Sequence, residues 1–468
     1  MTAKALILAA GAGTRMKSDK PKVVHEVLGK PLVRWVVDAA HDAGIEDVVT
    51  VLGHMSEKVA PFVEGDTKIA IQTQQLGTGD AVNAGREAFT QADGSIAEGS
   101  LVVLSGDCPL ITPETIQALI AKREETGAAV VVLTMHMDDP FGYGRIVREG
   151  EAVVRIVEQK DANEQEAAIT ECNSGFYCFD APALFDALSR VSNDNAQGEY
   201  YLTDVLEICR NDGREVLALQ TADAEEAMGV NSRVQLAQAT HAMQHRINNR
   251  HMMAGVTMWD PESTFIGPDV EIAQDVELWP QTYLLGTTKV GSHSVIGPNT
   301  RLTDTQVGCG ARVDETVAIE AQIDDAAECG PRAYLRPGTH LCEGAKAGTH
   351  VEIKKSTIGK GSKVPHLSYI GDTTMGENVN IGAGSITCNY DGVNKNHTEI
   401  GDNVFVGSDT MMVAPVNIGA GAIIGASSCI TRDVAPDALA LERADQREIE
   451  GWAAKHMAKL KAKKEAAK

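Results

Sequence analysis

From Ile266 onward an aliphatic side chain returns every six residues: Ile266, Ile272, Leu278, Leu284, Val290, Ile296 and Leu302. The same phase runs through Ile400, Val406, Met412, Ile418, Ile424 and Ile430. A period of six matches neither an α-helix nor an ordinary amphipathic strand, but it predicts a solenoid of short parallel strands. Each strand turns one aliphatic residue inward, and the corners take Gly, Asn and Asp. Gly follows the inward residue in Ile266-Gly267, Val290-Gly291, Ile296-Gly297, Ile400-Gly401, Val406-Gly407, Ile418-Gly419 and Ile424-Gly425. Such coils stack on their neighbours, so the array supplies the stability.

The phase also breaks. Leu302 to Val307 and Ile370 to Met375 are steps of five, and Ile381 to Ile400 is a step of nineteen. The long step carries the polar segment Cys388-Asn389-Tyr390-Asp391-Gly392-Val393-Asn394-Lys395-Asn396. It reads either as a tolerated insertion or as a functional loop on a rigid scaffold. Between the inward slots Val364 and Ile370 lies His366, placed near a corner, with Arg336, Lys354, Lys355, Lys360 and Lys363 around it. A lone His is more often structural. A His among cations beside a polar loop is a candidate base for an anionic substrate.

The first half has a different rhythm. Apolar strands are predicted at Lys4–Ala9, Val48–Leu52, Lys68–Ile71, Leu101–Leu104 and Ala129–Thr134, alternating with helical stretches. This is α/β with a largely parallel sheet. Lys4–Ala9 leads into Gly11-Ala12-Gly13-Thr14-Arg15-Met16. That turn lacks the third Gly of a dinucleotide fingerprint and is no P-loop. With Arg15 and Lys22 nearby, it can gather backbone N–H groups and cations around phosphates. Asp107 follows Leu101–Leu104, at the carboxyl end of a strand where open α/β sheets bind ligands. It can hold Mg²⁺ or cap the helix starting near Thr112-Pro113. Residues 232–253 read as a helix linking residues 1–231 to the solenoid at 254–443, with a tail at 444–468.

Composition narrows the function. Of 468 residues, 43% are hydrophobic but only 4% aromatic, so the cores are small and aliphatic. A net charge of −23 argues against nucleic acid or an acidic membrane surface as partner. The basic run Lys455–Lys468 reads as a solvated helix. Nine scattered cysteines contain no Cys-x-x-Cys pair and read as free thiols in a reducing compartment. The apolar run Ala5–Ala10 is too short for a signal peptide, and no stretch approaches the roughly 20 residues of a membrane span. A cytoplasmic location is expected.

Several motifs occur together. Leu8-Ala9-Ala10-Gly11-Ala12-Gly13-Thr14-Arg15-Met16 with Pro21-Lys22 is similar to the signature of sugar-phosphate nucleotidyltransferases. Gln72, Gln75-Leu76-Gly77-Thr78-Gly79, Gly142-Tyr143-Gly144-Arg145, Glu158-Gln159-Lys160-Asp161, Asn173-Ser174-Gly175 and Gly229-Val230-Asn231 continue the match in order. The repeats look like the left-handed β-helix of hexapeptide acyltransferases. With Leu335-Arg336-Pro337-Gly338, His366-Leu367-Ser368-Tyr369 and Asn389-Tyr390-Asp391-Gly392, the chain resembles the bacterial bifunctional N-acetylglucosamine-1-phosphate uridyltransferase/glucosamine-1-phosphate acetyltransferase family. The resemblance extends to about Arg443.

The resemblance implies two sites. In the first, Gly11, Gly13, Arg15 and Lys22 match the residues that hold UTP phosphates, and Gln72, Gly77 and Thr78 match uracil-side contacts. Asp107 and Asn231 match Mg²⁺ ligands, and Gly144, Glu158 and Asn173 match sugar contacts. In the second, His366 matches the general base that frees the amine of glucosamine 1-phosphate to attack acetyl-CoA. Arg336, Lys354, Tyr369 and Asn380 match sugar-phosphate contacts. Ala383, Asn389, Tyr390, Ser408, Ala426 and Arg443 match the acetyl-CoA side. Glu352 is expected to orient His366, Cys388 to be a bystander, and the assembly to be a homotrimer. Pro365 and Ser105 depart from residues seen in some relatives. A chain with nucleotidyl transfer alone, and a non-enzymatic scaffold of the translation-factor exchange type, are the competing readings. His366 with its loop argues against the first, and Arg15, Lys22, Asp107 and Asn231 together argue against the second.

Overall fold

The computed structural model describes residues 3–466. They form two compact units. One runs to Arg250 and takes in Phe265–Pro268; the other holds His251–Thr264 and the residues from Asp269 on.

The first unit is built on a mixed sheet. Its strands lie in the order Val216–Gln220, Val130–His136, Glu171–Asp180, Ser100–Ser105, Lys4–Ala9, Asp47–Leu52 and Lys68–Ile71. All neighbours pair parallel except Glu171–Asp180, which is antiparallel to both strands beside it. The hydrophobic runs predicted five of these strands within two residues at each end; Glu171–Asp180 and Val216–Gln220 were not among them. The reversed strand departs from an all-parallel sheet, as do Arg145–Glu149 and Ala152–Val157, which pair antiparallel beside it. Glu171–Asp180 carries a register shift between Asn173 and Tyr177, around Gly175. Strands such as Leu101–Leu104 are buried on both faces, because cores lie on each side of the sheet. The helix after Asp107 is Pro113–Thr126, and the Thr112 hydroxyl caps it by accepting from the Thr115 N–H at 3.3 Å. Asp107 is therefore not needed as a cap.

The second unit is a parallel β-helix. Successive strands, most of them two or three residues long, are dealt in turn to three parallel sheets. The inward residues Leu278, Leu284, Val290, Ile296 and Leu302, and later Ile400 to Ile430, are buried. Ile272 is only half-buried. A second feature reinforces the stack: a hydroxyl two residues before many inward positions is also buried, as at Thr282, Thr288, Ser294, Thr300 and Ser362. Ser294 Oγ donates to Gly308 O at 2.8 Å and accepts from Ala311 N at 3.0 Å. Ser362 does the same with Gly376 O and Val379 N, at 2.7 and 2.9 Å. These two hydroxyls stitch one coil to the next, each bond worth about 1 kcal/mol net, whereas Thr398 Oγ1, two residues before the inward Ile400, is buried without a partner among the described residues. The tail forms an exposed helix, Trp452–Ala466. Among the described residues no helix is long and apolar enough to cross a membrane.

Candidate active sites

In the first unit the carboxyl ends of Lys4–Ala9 and Ser100–Ser105 open into a cavity of about 280 Å³. Gly11, Lys22, Gln72, Gly77, Thr78 and Asp107 line it, so residues far apart in sequence meet there. Gly13 sits at φ +60°, and a Cβ on it would lie 2.5 Å from Lys22 Cβ. Only Gly lets the Lys22 backbone pass this close. Gln75 Nε2 donates to Ala10 O at 2.7 Å and pins the Gly-rich turn. Gln72 Nε2 donates to Asp80 Oδ2 at 2.8 Å and to Gly77 O at 3.2 Å. Thr78 Oγ1 accepts from Leu202 N at 3.1 Å, which ties the far wall to the 199–202 segment.

Lys22 decides the electrostatics. Its Nζ donates to Asp107 Oδ2 and, at 2.9 Å, to Asn231 Oδ1. Val230 N donates to Asp107 O at 2.9 Å and Asn231 N donates to Gln235 Oε1 at 2.9 Å, so both side chains stand on fixed backbone. The carboxylate and the amide oxygen thus converge on one cation. Arg15, in the turn Thr14–Met16, is exposed and makes no ion pair among the described residues.

Gly144, Glu158 and Asn173 form a second cluster of the same unit. Asn173 N donates to Gly144 O at 2.8 Å, and Asn173 Nδ2 donates to Tyr177 Oη at 2.7 Å. Burial raises the Glu158 carboxyl above its ordinary pKa, partly offset by a hydrogen bond from Thr203. Arg145, fully buried, spreads its guanidinium over Tyr143 O, Ala167 O and Gln159 Oε1 and holds this loop. Ser105 Oγ would lie 3.3 Å from a Cβ on Gly175, so its small side chain leaves room at the reversed strand.

In the second unit, His366 ends the strand Lys363–His366 and is exposed; Leu367, at φ +51°, makes the corner. His366 stands two residues after the inward Val364. Ala383, Ser408 and Ala426 stand at the same offset after Ile381, Val406 and Ile424, on later coils of that sheet. Gly384 N donates to His366 O at 3.3 Å, Asp409 N to Ala383 O at 2.7 Å, and Ser427 N to Ser408 O at 2.8 Å. Arg443 Nη1 reaches Ala426 O at 3.4 Å. Coils step by ~4.8 Å, so the column from His366 to Ala426 spans about 14 Å. It is a straight track along the solenoid.

Beside its head lie Arg336, Lys354, Tyr369 and Asn389. Register puts Glu352 next to Tyr369 and Lys354 next to Gly371, while Lys363 pairs with Asn380. Asp372 joins the group: its Oδ2 accepts from Asn389 Nδ2 and, at 3.3 Å, from Lys354 Nζ. Asn389 Nδ2 also reaches Tyr369 Oη at 3.4 Å. Asp372 escaped the sequence reading because an acid among cations looks like ordinary surface until the register is known. Glu352 needs correction: its Oε1 accepts from Arg336 Nη1 at 2.9 Å. Among the described residues no hydrogen bond joins it to His366. The loop around Tyr390 is built rather than slack. Asp391 Oδ1 accepts from Val393 N and Asn394 N at 2.8 and 2.7 Å, bonds that hold its carboxyl well below the ordinary range. Lys395 Nζ lies 4.0 Å from the Tyr390 ring centroid.

A MobA-like NTP transferase domain model matches residues 5–207, and a bacterial transferase hexapeptide (six repeats) model matches residues 397–432. The "Bifunctional protein GlmU" of Streptomyces avermitilis is 49% identical over 97% of this chain and 94% of its own. That of Syntrophotalea carbinolica is 50% identical over 98% of each. This chain belongs to the bifunctional GlmU family.

The GlmU fold is thus an α/β nucleotidyltransferase unit followed by a left-handed parallel β-helix of hexapeptide repeats. The match to other GlmU chains runs through the crevice and the column alike. A solved UDP-glucose pyrophosphorylase with UDP-glucose aligns with 53% of this chain and all of its own, at 21% identity and a TM-score of 0.42, too low to add to the assignment.

Proposed function

We propose that the chain makes UDP-N-acetylglucosamine in two steps at two separate sites: acetyl transfer from acetyl-CoA to glucosamine 1-phosphate on the solenoid, then uridylyl transfer from UTP in the crevice. The observation that supports it most is the pairing of a cation-gathering crevice with a His-headed column in one chain of the GlmU family.

In the crevice the sugar 1-phosphate oxygen attacks the α-phosphorus of UTP and pyrophosphate leaves in line. No protein nucleophile is required, so positioning and charge stabilisation carry the rate. Gly11, Gly13, Arg15 and Lys22 hold the phosphates, Gln72, Gly77 and Thr78 the base, and Gly144, Glu158 and Asn173 the sugar. Asp107 and Asn231 would hold Mg²⁺. Their two oxygens already face one ammonium, and hard oxygen donors suit that ion. When bound, Mg²⁺ neutralises charge on the phosphates. Lys22 then has a second task, since it must exchange Asp107 and Asn231 for a phosphate.

On the solenoid, Arg336, Lys354, Tyr369 and Asn380 hold the sugar phosphate. His366 takes a proton from the ammonium of glucosamine 1-phosphate, and the freed amine attacks the thioester carbonyl. An amide C–N bond forms, the C–S bond breaks, and CoA leaves as its thiol. Ala383, Ser408, Ala426 and Arg443 supply the track for acetyl-CoA, and Asn389 and Tyr390 its side wall. The uridyltransferase region is residues 1–231 and the acetyltransferase region residues 254–443. The assembly is a cytoplasmic homotrimer.

The test uses purified full chain with glucosamine 1-phosphate, acetyl-CoA, UTP and Mg²⁺, reading free thiol and pyrophosphate separately. Both products are expected, with pyrophosphate dependent on acetyl-CoA. Pyrophosphate from N-acetylglucosamine 1-phosphate without any thiol release would reduce the chain to a nucleotidyltransferase.

A further inference from the structure

Away from both sites, three side chains of different chemistry converge on one outer face of the solenoid. Asp324 follows the inward Ile323, and His340 and Cys342 flank the inward Leu341 on the next coil. The coils are in register, with Gln322 opposite His340 and Ile323 opposite Leu341, and Asp324 N donates to Leu341 O at 2.8 Å. Alternation along a strand therefore sends all three side chains outward on one face of two adjacent coils. Their ligand atoms lie within 4.8 Å of one another, and all three residues are half-buried.

The geometry separates the possible uses. Asp324 Oδ2 lies 2.8 Å from His340 Nε2, and Cys342 Sγ lies 3.9 Å from that same nitrogen. A nucleophilic relay needs the acid on one ring nitrogen and the thiol on the other, so this is not a Cys-His-Asp triad. An Asp–His ion pair accounts for two members and leaves the thiol unexplained. Donors that meet around one point are what a tetrahedral cation requires. With metal–ligand distances of about 2.0 to 2.3 Å, the donors would stand roughly 3.3 to 3.5 Å apart. Small side-chain rotations on a fixed backbone reach that spacing.

Two neighbours favour a cation. Gln322 Nε2 donates to Asp324 Oδ1 at 2.9 Å, which fixes the carboxylate and leaves Oδ2 facing the other donors, a supporting bond of the sort metal ligands carry. The clefts alongside are lined by Asp304, Glu320, Asp325 and Glu343, so the local field draws cations.

We propose that Asp324, His340 and Cys342 form a site for a borderline-soft divalent transition metal of the Zn²⁺ class, with three protein ligands and one open position. A thiolate and an imidazole in the set select such an ion over Mg²⁺ or Ca²⁺. Binding releases the thiol proton to solvent.

Cobalt(II) tests this in the full chain, stripped with chelator and kept in excess Mg²⁺ so that oxygen-only sites are filled. A thiolate-to-cobalt charge-transfer band is expected at one equivalent per chain, displaced by Zn²⁺. Cys342→Ser abolishes the band, His340→Gln weakens binding at least about tenfold, and Asp324→Asn weakens it about tenfold. Replacing the exposed Cys309 and Cys429 by Ser leaves it intact. No band in the wild type, or a band that survives Cys342→Ser or ignores His340→Gln, overturns the site. Should a variant fail to fold, alkylation of the wild type decides: Zn²⁺ must protect Cys342 and spare Cys309 and Cys429, and equal protection of all three overturns it.

Discussion

The crevice and the column solve the same problem, holding a charged sugar phosphate against a co-substrate, by opposite means. In the crevice, Gly11, Lys22, Gln72, Thr78 and Asp107 come from separate loops at strand ends, and side-chain bonds such as Gln75 to Ala10 hold them. On the solenoid, His366, Ala383, Ser408 and Ala426 are set by coil register alone, through main-chain bonds. One site depends on its side chains to exist, and the other depends on its scaffold to be spaced. Substitutions should therefore fail differently in the two places.

The largest effect is expected at Lys22. Lys22→Ala removes a cation that faces both Asp107 and Asn231, and pyrophosphate formation should fall about 10²- to 10³-fold with thiol release unchanged. Steady-state assays of both products check it. Equal loss of the two would tie the sites together and break the contrast.

On the solenoid the sharper lever is a backbone position. A Cβ on Gly371 would lie 2.5 Å from Tyr369 Oη and 2.6 Å from Asn389 Nδ2. Gly371→Ala should displace that side-chain pair by about 1 Å and lower acetyl transfer on the order of 10²-fold, leaving the melting temperature near wild type. Calorimetry alongside the thiol assay separates misplacement from unfolding.

A smaller effect concerns stability. Burial, with Glu207 and Asp161 nearby, raises the Asp204 pKa to about 6. In the folded state this acid keeps its proton where the unfolded chain has lost it. Stability therefore falls as pH rises from the ordinary carboxylate value to about 6. Asp204→Asn should remove that slope and gain about 1 kcal/mol at neutral pH, a figure reduced for partial solvent screening. Denaturant melts at acidic and neutral pH measure it. The smallest effect is at Cys388, half-buried with its thiol pKa raised by burial: Cys388→Ala should keep thiol release from acetyl-CoA within about twofold.

Much of this was legible in the sequence, and unevenly so. The six-residue period placed the inward residues of the solenoid, because each coil repeats one local rule. The apolar runs located five strands of the first unit, since strands buried on both faces are apolar throughout, but not the later strands such as Glu171–Asp180 and Val216–Gln220. The reversal of Glu171–Asp180 was not legible, because strand direction is settled by pairing and leaves no mark on composition. The role of Lys22 between Asp107 and Asn231 was hidden likewise, as those residues stand 85 and 209 positions away. Asp372 and the pairing of Glu352 with Arg336 needed coil register, which broken phase conceals. The stitching hydroxyls were visible as Thr and Ser two positions before the inward residues; their function appears only when two coils are stacked.

The central claim, two chemically independent sites in one chain, is tested most directly by measuring thiol release and pyrophosphate formation on Asp107→Ala and His366→Ala side by side. Asp107→Ala should lose pyrophosphate formation on the order of 10³-fold and keep thiol release. His366→Ala should lose thiol release about 10²- to 10⁴-fold and keep pyrophosphate formation from N-acetylglucosamine 1-phosphate. If either substitution abolished both products in a chain that melts like wild type, or if Asp107→Ala made pyrophosphate at the wild-type rate, the account would be wrong.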